Sequence, residues 1–304
     1  MRSTSLPPFL RGWCGVGLLD GLLAGTIGVR AADAGPDAMP LATAKKLFDG
    51  GQYAEARAVF EKIAATEPQN AEATFYLGWT AIRLNQPDES VKFLEKATTL
   101  DGTRSLYFYV LGDAYGVSAQ RASVFGKVGW ARKCLAAYNK AIELDPDNLD
   151  ARAARLSYYW HAPALMGGGM DKAHAEAEEI RKRDPLRGAQ ALADLYVADR
   201  KYAEAFAVID QLAAQHPDNK PAQYQLGRLA AITGQQLDLG ATALEAYLQY
   251  SPLGKEPGIA AAHWRLGMIR EKKGDRAAAR AEYEAALKLN PDFAVVREAL
   301  KKLP

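Results

Sequence analysis

The run Gly167-Gly168-Gly169 carries the strongest hint of chemistry in the chain, because bare backbone N–H groups can cradle a phosphate. A phosphate loop also needs a preceding strand and a G-x-x-x-x-G-K-[ST] or G-x-G-x-x-G frame, and this run has neither. It reads as a turn between helices. The four histidines, His161, His174, His216 and His263, are scattered, and no H-E-x-x-H or paired Cys/His spacing joins them into a metal site. His161 alone has a suggestive setting, since it follows Tyr158, Tyr159 and Trp160. Cys14 and Cys134 are the two cysteines; Cys134 stands where a small buried residue is wanted. No G-x-S-x-G elbow occurs, and the many Glu/Lys pairs read as solvated helix faces. The sequence therefore assigns no catalytic, cofactor-binding or metal residue, and the expectation is a protein that is not an enzyme and needs no cofactor.

The chain of 304 residues is 49% hydrophobic and 24% charged, which is enough apolar material for a large core. Setting aside Arg2, Arg11, Arg30 and Asp20 leaves 35 basic and 35 acidic residues in the remainder. A neutral body lacks the electrostatic footprint of a nucleic-acid binder.

The first residues read as an address. Arg2 and Arg11 precede a Gly- and Leu-rich run over residues 13–29, and small-residue sites follow at Ala31 and Ala34. Positive charge, apolar stretch and small residues in that order predict a signal peptide over 1–31, cleaved after Ala31 or Ala34, with export to the periplasm in a bacterium. The alternative is an inner-membrane anchor through 13–29, since 17 residues lie near the lower limit for a spanning helix. Cleavage would leave no stable membrane span.

From residue 37 to 304 a period governs the chain. In Ala260–Phe293, Leu266-Gly267 is followed by Gly274, Ala279, Tyr283, Ala286 and Pro291. The same offsets recur as Leu77-Gly78, Leu94 and Ala97; as Leu192, Tyr196, Tyr202, Ala205 and Ile209; and as Leu226-Gly227, Gly234 and Leu244. Units are expected at about 37–70, 71–104, 105–148, 149–185, 186–219, 220–254 and 260–293, with a capping helix at 294–304. Small residues such as Gly78, Gly227 and Gly267 permit close helix approach, and apolar residues three and four apart make each helix amphipathic. Pro68, Pro146, Pro185, Pro217 and Pro291 are expected to stop each second helix.

These offsets resemble the tetratricopeptide repeat, a helix-turn-helix of 34 residues. The resemblance implies an all-α, right-handed superhelical solenoid that binds a protein or peptide in its concave groove. The units at 105–148 and 149–185 carry insertions, around SAQRASVFGK (118–127) and HAPALMGGGMDKA. The stretches ASVFGK, AAYNKAIELDPDN and YYWHAPALMGGGMDKA are similar to a subgroup of bacterial exported tetratricopeptide proteins, which implies a binding role only.

In this family, positions 2, 5, 9 and 12 of each first helix face the groove. The resemblance carries that role to Phe75, Tyr109, Tyr224 and Trp264 at position 5, to Trp79, Asp113, Asp194, Arg228 and Met268 at position 9, and to Tyr158 and His161 in the lengthened fourth unit. Rings and arginines dominate interface energetics, although position-5 rings can instead wedge between helices and complete the core. Arg121, Phe125 and Lys127, with Arg132 and Lys133 nearby, are candidate contacts on the first insertion, read as a loop. The expected function is a scaffold or adaptor in the bacterial cell envelope. A second expectation is a small-molecule or glycan module at an aromatic pocket near Tyr158–His161.

Overall fold

In the computed structural model, residues 38–304 are described, apart from 217, 218, 255 and 304 and the side chains of Ala38, Met39, Val124 and Phe125. Residues 1–31, expected to be a signal peptide, and the side chain of Phe125 lie outside the described residues. Fifteen α-helices and no strand occur among the described residues. They are α1 Ala38–Asp49, α2 Tyr53–Thr66, α3 Ala71–Arg83, α4 Pro87–Leu100, α5 Ser105–Arg121, α6 Val124–Leu144, α7 Leu149–His161 and α8 Met170–Arg181. After these come α9 Pro185–Ala198, α10 Tyr202–Gln215, α11 Lys220–Thr233, α12 Leu237–Tyr247, α13 Ile259–Lys272, α14 Arg276–Leu289 and α15 Ala294–Lys302.

Local chemistry sets these boundaries. Asn70, Asn148, Asp184 and Asp275 cap the next helix by accepting from the N–H three residues on, at 2.9–3.0 Å. Each such cap is worth about 1 kcal/mol. Two of them lie two residues beyond a proline, Pro68 or Pro146, so one short segment both ends a helix and starts its successor. Pro185 departs from expectation: it is the first residue of α9, where its missing N–H costs nothing, rather than a stop for α8.

Contacts divide the chain into two compact units, up to Glu176 and from Ala177 onward. In the first, α1 pairs with α2, α3 with α4, and α5 with α6, and the first helices α3, α5 and α7 touch in succession. In the second, α9 pairs with α10, α11 with α12, and α13 with α14, and α9, α11 and α13 touch in succession. Helix α15 packs on α14 and buries Val296.

The pairs share one packing device. A Cβ at Gly78 would strike Leu94, and one at Gly267 would strike Tyr283; Gly112 faces Tyr138 and Gly227 faces Leu244 in the same way. Each glycine opens the gap that the second helix's large side chain fills.

The first insertion is helix, not loop. It lengthens α5 to 17 residues and α6 to 21, with only Ala122 and Ser123 between them. Arg121 therefore ends α5, and Phe125 and Lys127 lie in α6. The second insertion is a single 3-10 turn, Ala164–Met166, followed by Gly167 at φ 92°. A Cβ at Gly168 would overlap the Ala162 carbonyl, so this run is a tight packed turn.

Candidate functional site

In the first unit rings on α3 and α5 pack against one another and against neighbouring helices. Phe75 is 1% exposed and stacks on Tyr107 at 4.3 Å. Trp79 leans on Phe48 at 4.9 Å and on Phe75 at 5.3 Å, and stays half-buried. Half-buried Tyr109 lies 6.4 Å from Tyr138, whose hydroxyl donates to Asp113 at 2.7 Å. Desolvation pushes the Asp113 carboxyl up to about 6, against the opposing hydrogen bonds from Tyr138 and Tyr109.

Three of the groove residues implied by the resemblance are instead buried. Phe75, Tyr158 and Tyr224 are core side chains, at 1%, 1% and 6% exposure, and present no ring face to a partner. Each is covered by a neighbour: Phe75 by Tyr107, and Tyr224 by Tyr247 at 5.4 Å. Tyr158 donates its hydroxyl to the Met166 carbonyl at 2.6 Å, which ties the second insertion down. His161 is exposed at the end of α7, with Nδ1 2.8 Å from the Ser157 carbonyl. Tyr158 and His161 thus do not form an aromatic pocket.

The first insertion is also spent largely on packing. Lys133 pairs with Glu95 at 3.1 Å and lies over the Tyr115 and Trp130 rings. Arg121 donates to Asn85, and Lys127 is half-buried. Behind them, buried Glu176 is shared by Arg152 at 3.0 Å and by Arg155, while Arg152 Nε also donates to the Pro146 carbonyl at 2.7 Å. That network pins α7 to the middle of α8.

The second unit presents a different row. On α11, Arg228 donates from Nη2 to Asp194 of α9 at 2.5 Å and from Nε to Gln225 at 2.7 Å. Gln225 in turn donates to Gln190 of α9 at 3.2 Å. On α13, the Arg265 guanidinium lies 3.8 Å from the centroid of the Trp264 ring, a cation–π contact. Trp264 is half-buried, edge-on to Phe293 at 5.3 Å. Burial pulls the pKa of Arg265 below its ordinary value, and its Nε, like Gln223 Oε1, is buried with no hydrogen-bond partner.

Sequence reasoning missed Arg265, which stands one place beyond the position assigned to the groove. It did not pair Asp194 with Arg228 either, although both occupy position 9 of consecutive units and carry opposite charge. Among the described residues no group of three or more His, Cys, Asp or Glu side chains is placed to hold a metal ion, and no helix is long and apolar enough to cross a membrane.

Comparison with known proteins follows the same lines. Residues 47–112, 117–148, 190–252 and 260–293 each match a sequence profile described as a tetratricopeptide repeat. A tetratricopeptide repeat protein from Parabacteroides merdae superposes with a TM-score of 0.57 at 16% identity, covering 87% of this chain and 97% of that one. A thermophilic repeat protein of Thermus thermophilus is 22% identical over 70% of this chain and all of its own, with a TM-score of 0.48. The C-terminal part of a repeat-containing protein from Cytophaga hutchinsonii is 18% identical, covering 85% and 98% with a TM-score of 0.49. No curated protein sequence matches significantly. The helix pairs, the glycine gaps that large side chains fill and the four matched segments together make this chain a member of the tetratricopeptide repeat family, with an all-α solenoid fold.

Proposed function

We propose that the protein is a non-enzymatic interaction scaffold of the bacterial cell envelope, and that the first-helix row of its second unit holds a polypeptide segment. The observation that carries this is the Asp194–Arg228 pair beside Arg265, whose guanidinium lies on the half-buried Trp264 ring. An extended segment offers carbonyl and carboxylate oxygens at regular spacing, which suits the guanidinium groups of Arg228 and Arg265 flanked by a half-buried Trp. Arginine's planar fork suits such oxygens better than a lysine point charge would. The envelope setting rests on the leader, in which Arg2 and Arg11, the 13–29 run and the small residues at Ala31 and Ala34 stand in signal order.

Affinity capture from an envelope fraction tests the docking row. Wild-type bait should retain a distinct polypeptide that the Arg228→Ala/Arg265→Ala bait loses. Equal retention by both baits would overturn the assignment of the row. N-terminal sequencing of the protein from the periplasm tests export: a start at Ala32 or Gly35 is expected, and a start at Met1 contradicts cleavage.

A further inference from the structure

A cavity of about 350 Å³ lies within the first unit, between the turn from α3 to α4 and the end of α5. That is within the range of small-molecule sites. Its apolar wall is Ile82, Pro87, Ala114 and Val117. Its polar wall is Asn85, Gln86, Ser90, Gln120 and Arg121. The cavity owes its far wall to the lengthening of α5, because Gln120 and Arg121 belong to that helix's extra turn.

Two features of the polar wall point to one kind of ligand. The first is Ser90. It occupies the place in its repeat where Ala56, Ala205 and Ala279 stand in others, all of them fully buried. Ser90 is also 0% exposed, yet its Oγ has no hydrogen-bond partner. A hydroxyl left unsatisfied in the interior costs about 1–3 kcal/mol, and alanine at this position would avoid it. The packing thus gives no reason for serine.

The second feature is the direction of the amides. Asn85 Oδ1 already accepts from Arg121, and Gln86 Oε1 already accepts from Arg57. Both side chains therefore have their NH₂ groups, donors, left to offer. Arg121 adds further N–H donors and a positive charge whose partner is the neutral Asn85 amide. The nearby carboxylate of Glu89 is paired with Arg57 at 2.7 Å. The wall is rich in donors, and what it lacks is an acceptor, preferably anionic.

We propose that this cavity binds a small carboxylate bearing a short aliphatic chain. The chain rests on Ile82, Pro87 and Val117, and the carboxylate accepts from Arg121 and, once the Ser90 side chain turns from its covered position toward the cavity, from the Ser90 hydroxyl. Such a group comes either as a free acid or as the last residue of a peptide, and the site reads both through the same contacts. This ligand and the docking row of the second unit are separate, so either assignment stands or falls without the other.

Titration of the full chain with sodium pentanoate, and with Ala-Ala-Val peptides whose C-terminus is free or amidated, tests the proposal. Saturable binding of pentanoate or of the free-terminus peptide is expected, with pentanamide and the amidated peptide at least tenfold weaker. Binding of pentanoate but neither peptide identifies a free acid as the source; binding of the free-terminus peptide alone identifies a chain end. Arg121→Gln should weaken the responding probe at least tenfold and Ser90→Ala at least threefold. Arg121 is exposed and Ser90→Ala restores the residue of the other repeats, so both variants should unfold at or above the wild-type temperature. The proposal is overturned if wild type binds neither probe, if the neutral amides bind equally, or if both variants keep wild-type affinity.

Discussion

The first helices of the two units fill the same repeat positions with different outcomes. In the first unit Phe75 packs against both Tyr107 and Trp79, and the Asp113 carboxylate is satisfied by Tyr138. In the second, Arg228, Gln225 and Asp194 form a polar network, and the Arg265 guanidinium lies over the Trp264 ring. A repeat position fixes where a side chain stands; the neighbouring helix decides whether it is available. Phe75 is covered because α5 supplies Tyr107, and Tyr224 because α12 supplies Tyr247. Trp264 is met edge-on by Phe293 and stays half-buried.

The largest expected effect separates core ring from surface ring. Phe75→Ala should cost about 3–5 kcal/mol, because it empties a fully packed site. Trp264→Ala should cost clearly less in the same urea titrations while impairing partner capture more. Equal destabilisation by the two would erase the distinction between the rows.

A smaller effect probes what the units share. Gly112→Ala and Gly227→Ala should each cost about 1–3 kcal/mol, since the added methyl would overlap Tyr138 and Leu244 respectively. Gly129, inside α6 with open space around it, is the control. Its replacement by alanine should be stabilising, by up to about 1 kcal/mol from helix propensity. Sensitivity at only one of the two gap glycines would mean that the units do not share their packing.

The smallest effect is confined to the first row. The Asp113 carboxyl, raised to about 6, binds its proton more tightly in the folded chain than in the unfolded one. Its contribution to stability therefore falls as pH rises from the ordinary aspartate range to about 6. Asp113→Asn keeps an acceptor for Tyr138 and should remove that slope, so that unfolding temperatures at pH 4.5 and 6.5 differ less than in wild type. An unchanged pH dependence would show that Asp113 is not desolvated as described.

Much of this architecture was legible because it is periodic. The Leu-Gly pairs, the small residues of the second helices and the Pro-x-Asn segments recur at offsets that only helix pairs satisfy, and Asn70 and Asn148 turn out to be the caps themselves. The insertion at 118–127 was misread because Ser123, Gly126 and Gly129 look like loop residues, whereas packing of α6 against α5 carries the helix through both glycines. The status of the rings was not legible, since burial of Phe75, Tyr158 and Tyr224 depends on partners a whole helix or a turn away. The Asp194–Arg228 pair was legible in principle, as opposite charges one period apart. Arg265 was not, because its importance lies in what surrounds it.

Site-specific photo-crosslinking tests the central claim most directly. A benzophenone side chain is placed in turn at Trp264, on the docking row, and at Leu289, an exposed residue at the end of α14. Irradiated cells should yield a discrete polypeptide adduct from position 264 that vanishes in the Arg228→Ala/Arg265→Ala background, and no such adduct from position 289. No adduct at 264, or the same adduct from both positions, would contradict the account.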